Sequence, residues 1–243
     1  MDDLIANFFN IAVLRISFGT LMRGLGQTLL LALLVIPLGA AAGLVLGTMC
    51  SASRSVIRYF LFVWIDLFRA LPPLVLLIYL YYGAPMIGYE IGAYTAIAWA
   101  FTLNTSSYFA EIFRAGIESV PQGQWHASRG SGMSWLQSFI VVVLPQGIGT
   151  VLPDVVSNFV TVTQLTSLAS VVSVHELLHA AQVSQGTTYN ETPLIAAALI
   201  YLAILWPFVR LVSHLERRMR ARSATEPASK RMLLPSSVSE GSR

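Results

Sequence analysis

Long apolar runs, separated by short polar segments, dominate the pattern of this chain. Each run is close to the roughly 20 residues that a helix needs to cross a bilayer. The stretches without Asp, Glu, Lys or Arg cover residues 24–53, 70–89, 91–110, 130–153, 155–175 and 192–209. Composition points the same way, because 55% of the residues are hydrophobic, 11% are charged and the mean hydropathy is +0.67. The sequence therefore predicts an all-α membrane protein rather than a soluble domain.

The basic residues predict how the helices are oriented. Between the apolar runs they form three groups: Arg54 with Arg58, Arg114 with Arg129, and a cluster over 210–222 followed by Lys230 and Arg231. Arg15 and Arg23 precede the first run. Loops rich in Lys and Arg stay in the cytoplasm, so we expect all three groups there. An even number of crossings must then follow residue 138, which favours one span over about 139–165 and a later segment that stays at the outer side.

The predicted architecture is therefore five transmembrane helices, with the N-terminus outside and the C-terminus cytoplasmic. Residues 1–222 would form the transmembrane domain, and 223–243 would form a cytoplasmic tail.

Two features of the first two spans concern helix contacts. Gly39, Gly43 and Gly47 repeat at four-residue spacing in the first span, which lets another helix approach closely, and we expect this packing to lie within one subunit. In the second span, Asp66 and Arg69 lie near Pro72 and Pro73. These two charges are either functional or satisfy each other at i,i+3 spacing.

The segment before the fourth predicted span carries signals for two short helices joined by a bend. The first helix would have its body at 124–128, and the second would enter the membrane with apolar positions on one face. The start and stop signals are Ser119, Pro121, Gly130, Gly132, Ser134 and Gln137, and the apolar face is Met133, Leu136 and Ile140. An exposed apolar face of this kind fits a groove in a partner protein. The alternative interpretation of the segment is an interfacial helix that lies on lipid.

Several motifs, in chain order, resemble one family. Its cytoplasmic signature is Glu-Ala-Ala, then a glycine, then Ile-x-Leu-Pro. The matching positions, with the spacing intact, are His126-Ala127-Ser128, Gly132 and Val142-Val143-Leu144-Pro145. Further matches are YFAEIFRAGIESVPQGQ at 108–124, FRALPPLV at 68–75, TSLAS at 166–170 and LERR at 215–218. The chain thus resembles the membrane subunit of an ATP-binding-cassette (ABC) importer, in the polar amino acid permease family.

This resemblance implies a type I ABC importer permease fold and a role in importing polar amino acids across a bacterial inner membrane. The implied partners are two ABC ATPase subunits, a second permease subunit (itself or a paralogue), an extracytoplasmic substrate-binding protein and the lipid bilayer, with no nucleic acid. The chain would be a transport subunit rather than an enzyme, and would hold no cofactor or metal, because the ATPase partner binds ATP and Mg²⁺. A P-loop within the chain is excluded separately, since Lys230 in the tail is its only lysine.

The resemblance also implies which residues couple the chain to the ATPase. They lie in a cytoplasmic loop of about residues 115–138 and are Gln124, His126, Ala127, Arg129, Gly132, Met133, Trp135 and Leu136. Two departures stand out. His126 occupies the position of the signature glutamate, and Gln164 and Leu165 stand where the family commonly has a lysine and an acidic residue.

Polar groups on otherwise apolar helices are the candidates for lining a substrate path between two such subunits. They are Arg69, Asn104, Glu111, Asn158, Thr161, Thr163, Gln164, Thr166 and Ser167. Serine and threonine hydroxyls in membrane helices often bond their own backbone, so the cluster over 158–167 is a better candidate than any one member.

HELLH at 175–179 matches the H-E-x-x-H pattern of zinc proteases, which places two imidazoles on one helix face beside a glutamate. The alternative function is therefore a membrane-embedded zinc metalloprotease that uses His175, Glu176 and His179. A third ligand is not evident, because Gln185 stands where the extended motif has its third histidine.

Overall fold

Every regular element is helical in the computed structural model, which describes residues 7–53 and 55–224. The α-helices are α1 Ile11–Ala52, α2 Ser55–Ala70, α3 Pro73–Ile78, α4 Ala93–Ser119, α5 Gln122–Gly130, α6 Trp135–Ser138, α7 Leu144–Leu165, α8 Leu177–Thr188 and α9 Thr192–Ala224. Helical turns of other kinds connect them at Tyr79–Gly83, Ala84–Ile87, Phe139–Val143 and Thr166–Val172. The predicted all-α class is confirmed.

Within the described residues, three continuous helical segments are long and apolar enough to cross a membrane: Ile11–Ala52, Trp135–Val172 and Thr192–Met219. A fourth crossing requires two segments together, Ser55–Ala70 and Pro73–Ile87, which meet at an angle of 93°. Helix α4 is more polar, but its 27 residues extend about 40 Å at 1.5 Å per residue. The count of five spans and the orientation of the termini remain predictions, and residues 225–243 of the predicted tail lie outside the described ranges.

The first helix begins earlier than its apolar run, which starts at residue 24. Asn10 caps it, since its side-chain oxygen accepts hydrogen bonds from the backbone N–H groups of Ala12 (3.0 Å) and Val13 (3.3 Å). The helix therefore includes Arg15 and Arg23, which the charge pattern alone had placed before it. Local capping chemistry, rather than hydropathy, determines where this helix starts.

The second predicted span is bent rather than straight. Pro72 and Pro73 have no N–H group, so the carbonyls of Phe68 and Arg69 lose their helical donors four residues later. Two side chains of α4 supply replacements: the Asn104 amide donates to the Phe68 carbonyl (2.8 Å), and the Tyr108 hydroxyl donates to the Arg69 carbonyl (3.5 Å). The bend is therefore fixed by hydrogen bonds to a neighbouring helix.

The glycine repeat of α1 packs against α4, as expected for contacts within one subunit. A Cβ atom on Gly39 would lie 2.6 Å from the side chain of Thr105, and one on Gly47 would lie 2.6 Å from the Ala110 carbonyl. Between them, Gly43 faces the Phe109 side chain and the Ser106 carbonyl, and the latter would lie 2.8 Å from an added Cβ. The two backbones thus touch over two turns of helix, and no larger residue fits between them.

Helix α8 is held against α1 and α9 by one buried carboxylate. Glu176 is fully buried and caps α8, accepting from the backbone N–H groups of His179 (2.7 Å) and Leu178 (2.9 Å). The Tyr201 hydroxyl of α9 donates to the same carboxylate at 2.9 Å, and the Thr28 hydroxyl of α1 accepts from the Leu177 N–H at 3.1 Å. These bonds bring three segments that are distant in sequence to one point.

We expect Gly43→Val to destabilise the subunit, because the added side chain overlaps with α4. Overpacking of this kind costs about 1–3 kcal/mol. Gly26→Val is the matched control on the same helix, since a Cβ there meets nothing within 4 Å. Thermal unfolding in mild detergent should show a lower midpoint for Gly43→Val than for Gly26→Val, and equal midpoints would contradict the close contact of α1 with α4.

Candidate functional site

A sharp corner connects α4 to α7, and we call residues 119–143 the α5–α6 corner. Pro121 occupies the N-cap of α5, while Ser119 instead donates to the Gly116 carbonyl (2.7 Å). Gly132 then turns the chain with φ of +85°, a conformation that disfavours side chains with a Cβ. Ser134 and Gln137 form a reciprocal capping box that starts α6. The predicted helix, bend and helix are confirmed.

Three aromatic rings stack inside the corner and hold its two helices together. The ring centroids of Trp125 and Trp135 lie 5.9 Å apart, and those of Trp135 and Phe139 lie 5.4 Å apart with the rings nearly parallel at 4°. Phe139 is buried and belongs to a cluster with Ile117 at the end of α4. The sequence analysis named only Trp135, although the aromatic residues at 135 and 139 have helical spacing.

The helices on either side of the corner, α4 and α7, contact each other where they cross. A Cβ on Gly116 would lie 2.7 Å from the Gly147 carbonyl oxygen, and a Cβ on Gly147 would lie 2.9 Å from the Gly116 carbonyl oxygen. The backbones of the two helices are therefore in direct contact beside the corner.

The corner places the predicted coupling residues on one continuous segment. Gln124, His126, Ala127, Arg129, Gly132, Trp135 and Leu136 are exposed, and Met133 is half-buried. Two of these exposed side chains are large and apolar, with exposed fractions of 43% for Trp135 and 57% for Leu136. The arrangement is an exposed, partly apolar face on a rigid support.

An ion-pair cluster lies beside the corner, at the ends of α2 and α4. Arg114 pairs with Glu111 and with Glu118 (2.5 Å), and Glu118 also pairs with Arg58 of α2 (3.1 Å). Both guanidinium groups lie over the ring of Phe62, at 5.6–5.7 Å from its centroid. Glu111, predicted on the substrate path, is thus bound into this cluster.

A cavity of about 480 Å³ opens between α5, the end of α1 and the end of α4. Its walls include the aromatic stack and three ionisable side chains, Glu118, His126 and Arg129. The cavity has the mixed apolar and charged lining that accepts a side chain or a small polar ligand.

The other predicted path residues divide into two groups: Asn104 and Arg69, which contact neighbouring side chains or backbone, and the cluster over 158–167. Asn104 is buried as a hydrogen-bond donor to the backbone of α2, and Arg69 lies over the Tyr108 ring at 5.5 Å, without an ion pair to Asp66 in the described chain. The suggested mutual pairing of Asp66 and Arg69 is therefore wrong.

The cluster over 158–167 lies at the end of α7 and in the helical turn after it. The hydroxyls of Thr161, Thr163, Thr166 and Ser167 donate to backbone carbonyls three or four residues earlier, at 2.7–3.3 Å. Thr166 is fully buried, and Asn158 is half-buried with its amide nitrogen unbonded. Gln164 and Ser167 also line a smaller cavity of about 270 Å³ beside Tyr201.

A longer polar feature, which the sequence analysis missed, runs along α7. The α7 polar stripe consists of Gln146, Thr150, Asp154, Ser157, Thr161 and Gln164, all exposed and three or four residues apart. Asp154 forms no ion pair or hydrogen bond with the other described residues. The helical spacing of these polar residues was visible in the sequence and would have identified the stripe.

The HELLH segment lacks the geometry of a zinc protease. Helix α8 begins at Leu177, so His175 and Glu176 precede it, and the Glu176 carboxylate is fully buried as the helix cap. Burial raises the pKa of Glu176, and burial together with His175 lowers the pKa of His179. The described residues contain no group of three or more His, Cys, Asp or Glu side chains that could hold a metal ion. Nothing here supports the metalloprotease alternative.

Comparison with known proteins identifies the family. The family model for "Binding-protein-dependent transport system inner membrane component" matches residues 36–221. The chain is 36% identical over 197 residues to YckA of Bacillus subtilis, a "Probable amino-acid ABC transporter permease protein", covering 81% of this chain and 87% of the relative. It is 32% identical over 202 residues to the "Probable glutamine ABC transporter permease protein GlnP" of the same organism, covering 82% and 93%.

Solved structures agree with this assignment. A chain of the "Crystal structure of an amino acid ABC transporter with histidines" is 34% identical and has a TM-score of 0.74. The match covers 83% of this chain and 94% of that one. A chain of the inward-facing MetNI methionine ABC transporter, 20% identical with a TM-score of 0.65, shares the fold. The resemblance inferred from the motifs is confirmed, and the chain belongs to the family of binding-protein-dependent transport system inner membrane components, as a multi-pass permease subunit of an ABC transporter in a bacterial cytoplasmic membrane.

Proposed function

We propose that this chain, paired with a second permease subunit, forms the path of an importer for polar amino acids. The second subunit is another copy or a paralogue, two ABC ATPase subunits bind at the cytoplasmic side, and an extracytoplasmic binding protein delivers the substrate. The observation that carries the substrate class is the similarity to amino-acid permeases over most of both chains. ATP and Mg²⁺ would bind to the ATPase subunits.

The α5–α6 corner is the proposed docking site for the ATPase. Its exposed face offers the apolar side chains of Trp135 and Leu136, which fit a groove in a partner. The surrounding contact residues are Gln124, His126, Ala127, Arg129, Gly132 and Met133. An interfacial helix on lipid is the competing use of this face, and it would require no ATPase at all.

Movement of the ATPase would reach the path through α4 and α7, the two helices that the corner connects. ATP binding closes the two ATPase subunits and draws their docked corners together. Because Gly116 and Gly147 hold α4 against α7, both helices follow and the path opens outward. Hydrolysis of ATP releases the corners and resets the path.

The α7 polar stripe is the proposed lining of the path. Six polar residues over 146–164 extend about 27 Å along the helix at 1.5 Å per residue, close to the thickness of the hydrocarbon layer. A charged side chain facing lipid costs several kcal/mol, so Asp154 must face water or the second subunit. The cluster residues Asn158, Thr161, Thr163, Gln164 and Ser167 lie on or beside the stripe. Asn104 and Glu111 are bound to neighbouring groups and Thr166 is buried, whereas Arg69 is exposed and stays a candidate for the path.

We expect Gly132→Val to abolish binding of the ATPase without unfolding the chain. Valine at φ of +85° is strained by about 1–3 kcal/mol, which favours another conformation of the corner by roughly 5- to 150-fold. Gly130→Val is the control, because both positions have open space but Gly130 has no such φ. The measurement is ATPase activity that co-purifies with the tagged protein from mild detergent. Wild-type protein that purifies without an ATPase would overturn the proposed function, and ATPase retention by Gly132→Val would overturn the role of the bend.

We expect Asp154→Asn to reduce transport while the ATPase stays bound. A hydrogen bond to a charged group contributes about 1.5–3 kcal/mol, so uptake should fall by about tenfold or more. Leu152→Ala is the control, since Leu152 is exposed on another face of α7. ATP-driven uptake of labelled amino acids into proteoliposomes measures the effect, and an unchanged rate for Asp154→Asn would remove the stripe from the path.

A further inference from the structure

The charge of the α5–α6 corner is entirely positive. Residues 119–153 contain no Asp or Glu, and their ionisable side chains are His126 and Arg129. Both are exposed and both line the 480 Å³ cavity. A partner surface that meets this corner therefore encounters cationic or neutral groups only.

Arg129 has most of its hydrogen-bonding capacity unused. Within the described chain, its guanidinium donates to one acceptor, the Met133 carbonyl, at 3.4 Å, and no carboxylate lies within ion-pair distance. A guanidinium carries five N–H donors in a planar fork that matches a carboxylate. The remaining donors are available to a ligand in the cavity.

Glu118, the one carboxylate among the described residues that line the cavity, does not offset this charge. Its carboxylate pairs with both Arg58 and Arg114. Arg114 in turn pairs with one further carboxylate, that of Glu111. The Nε atom of Arg58 is buried without an acceptor. With Arg129, the described residues here contribute three guanidinium groups and two carboxylates, which leaves one positive charge when His126 is neutral.

Part of the cavity lining is apolar. Trp125, Trp135 and Phe139 present the aromatic stack to the same space that Arg129 and His126 line. A ligand that satisfies the whole cavity must combine a negative group with an adjoining apolar one. An acidic residue next to a large apolar residue in a protein segment has this combination.

We propose that the ATPase segment docking at this corner carries an Asp or Glu that binds Arg129, beside an apolar side chain that packs on the aromatic stack. This inference rests on the proposed function and adds the chemistry of the partner. His126 lies next to the same carboxylate and favours it further. A glutamate at position 126 would repel an ATPase segment with an acidic residue. It would attract an ATPase segment with a basic residue at the same place.

The test uses the purified permease and the ATPase that co-purifies with wild-type protein, recombined in detergent at low salt. His126→Glu and Arg129→Glu should each weaken binding by about tenfold or more, and Arg129→Gln should weaken it less and reduce its dependence on salt. Gly123→Glu is the matched control, because it places the same charge on α5 outside the cavity, and a Cβ there meets nothing within 4 Å. Circular dichroism and thermal unfolding check that each variant is folded.

The outcomes separate this inference from the proposed function. Unchanged or tighter binding by His126→Glu would overturn the inference while leaving the ATPase as the partner. Equal weakening by Gly123→Glu would also overturn it, since the effect would then be general rather than local. Competition for the site by vesicles of anionic lipid, with neutral vesicles inactive, would assign the cavity to a headgroup instead. Absence of an ATPase in the wild-type preparation would overturn the proposed function itself.

Discussion

The backbone contact between α1 and α4 is the constraint on which the other contacts depend. Gly39, Gly43 and Gly47 allow the two helices to touch, and any side chain at these positions would overlap with α4. Lipid provides no hydrophobic force between helices, so such close packing is a main source of stability inside a membrane. Helix α4 is thereby fixed along its length, and it carries this rigidity to the α5–α6 corner at its C-terminal end.

The same helix resolves the break in the second span. A carbonyl without a donor is costly in a medium without water, and Pro72 and Pro73 create two of them. Asn104 and Tyr108, one turn apart on α4, donate to these carbonyls. Polar residues of membrane helices thus serve either the backbone of a neighbour or an aqueous path, and their bonding partners distinguish the two uses.

Local features of the structure were predictable from the sequence, and features that depend on neighbours were not. The capping box at Ser134 and the bend at Gly132 follow from nearby residues, and the glycine repeat predicts a close helix contact. Asn104 was predicted to line the path. The carbonyl to which it donates lies 36 residues away in sequence, so this bond was not visible in the sequence. Likewise, HELLH matches a metal motif in letters, while its glutamate caps a helix and binds Tyr201, 25 residues later. The full α7 polar stripe was not predicted, because only the polar residues over 158–167 were grouped, by nearness in sequence, and their helical spacing with Gln146, Thr150 and Asp154 was not considered.

The central claim is that the aromatic stack makes the corner rigid enough to pass movement from a docked ATPase to α4 and α7. Phe139→Ala tests it most directly, because Phe139 is the buried ring of the stack, while Trp125 and Trp135, the rings more accessible to a docked segment, are retained. The measurement is the number of amino acid molecules taken up per ATP hydrolysed by the complex in proteoliposomes. The account predicts that the ATPase stays bound and that this ratio falls several-fold. An unchanged ratio, with the ATPase bound, would contradict it.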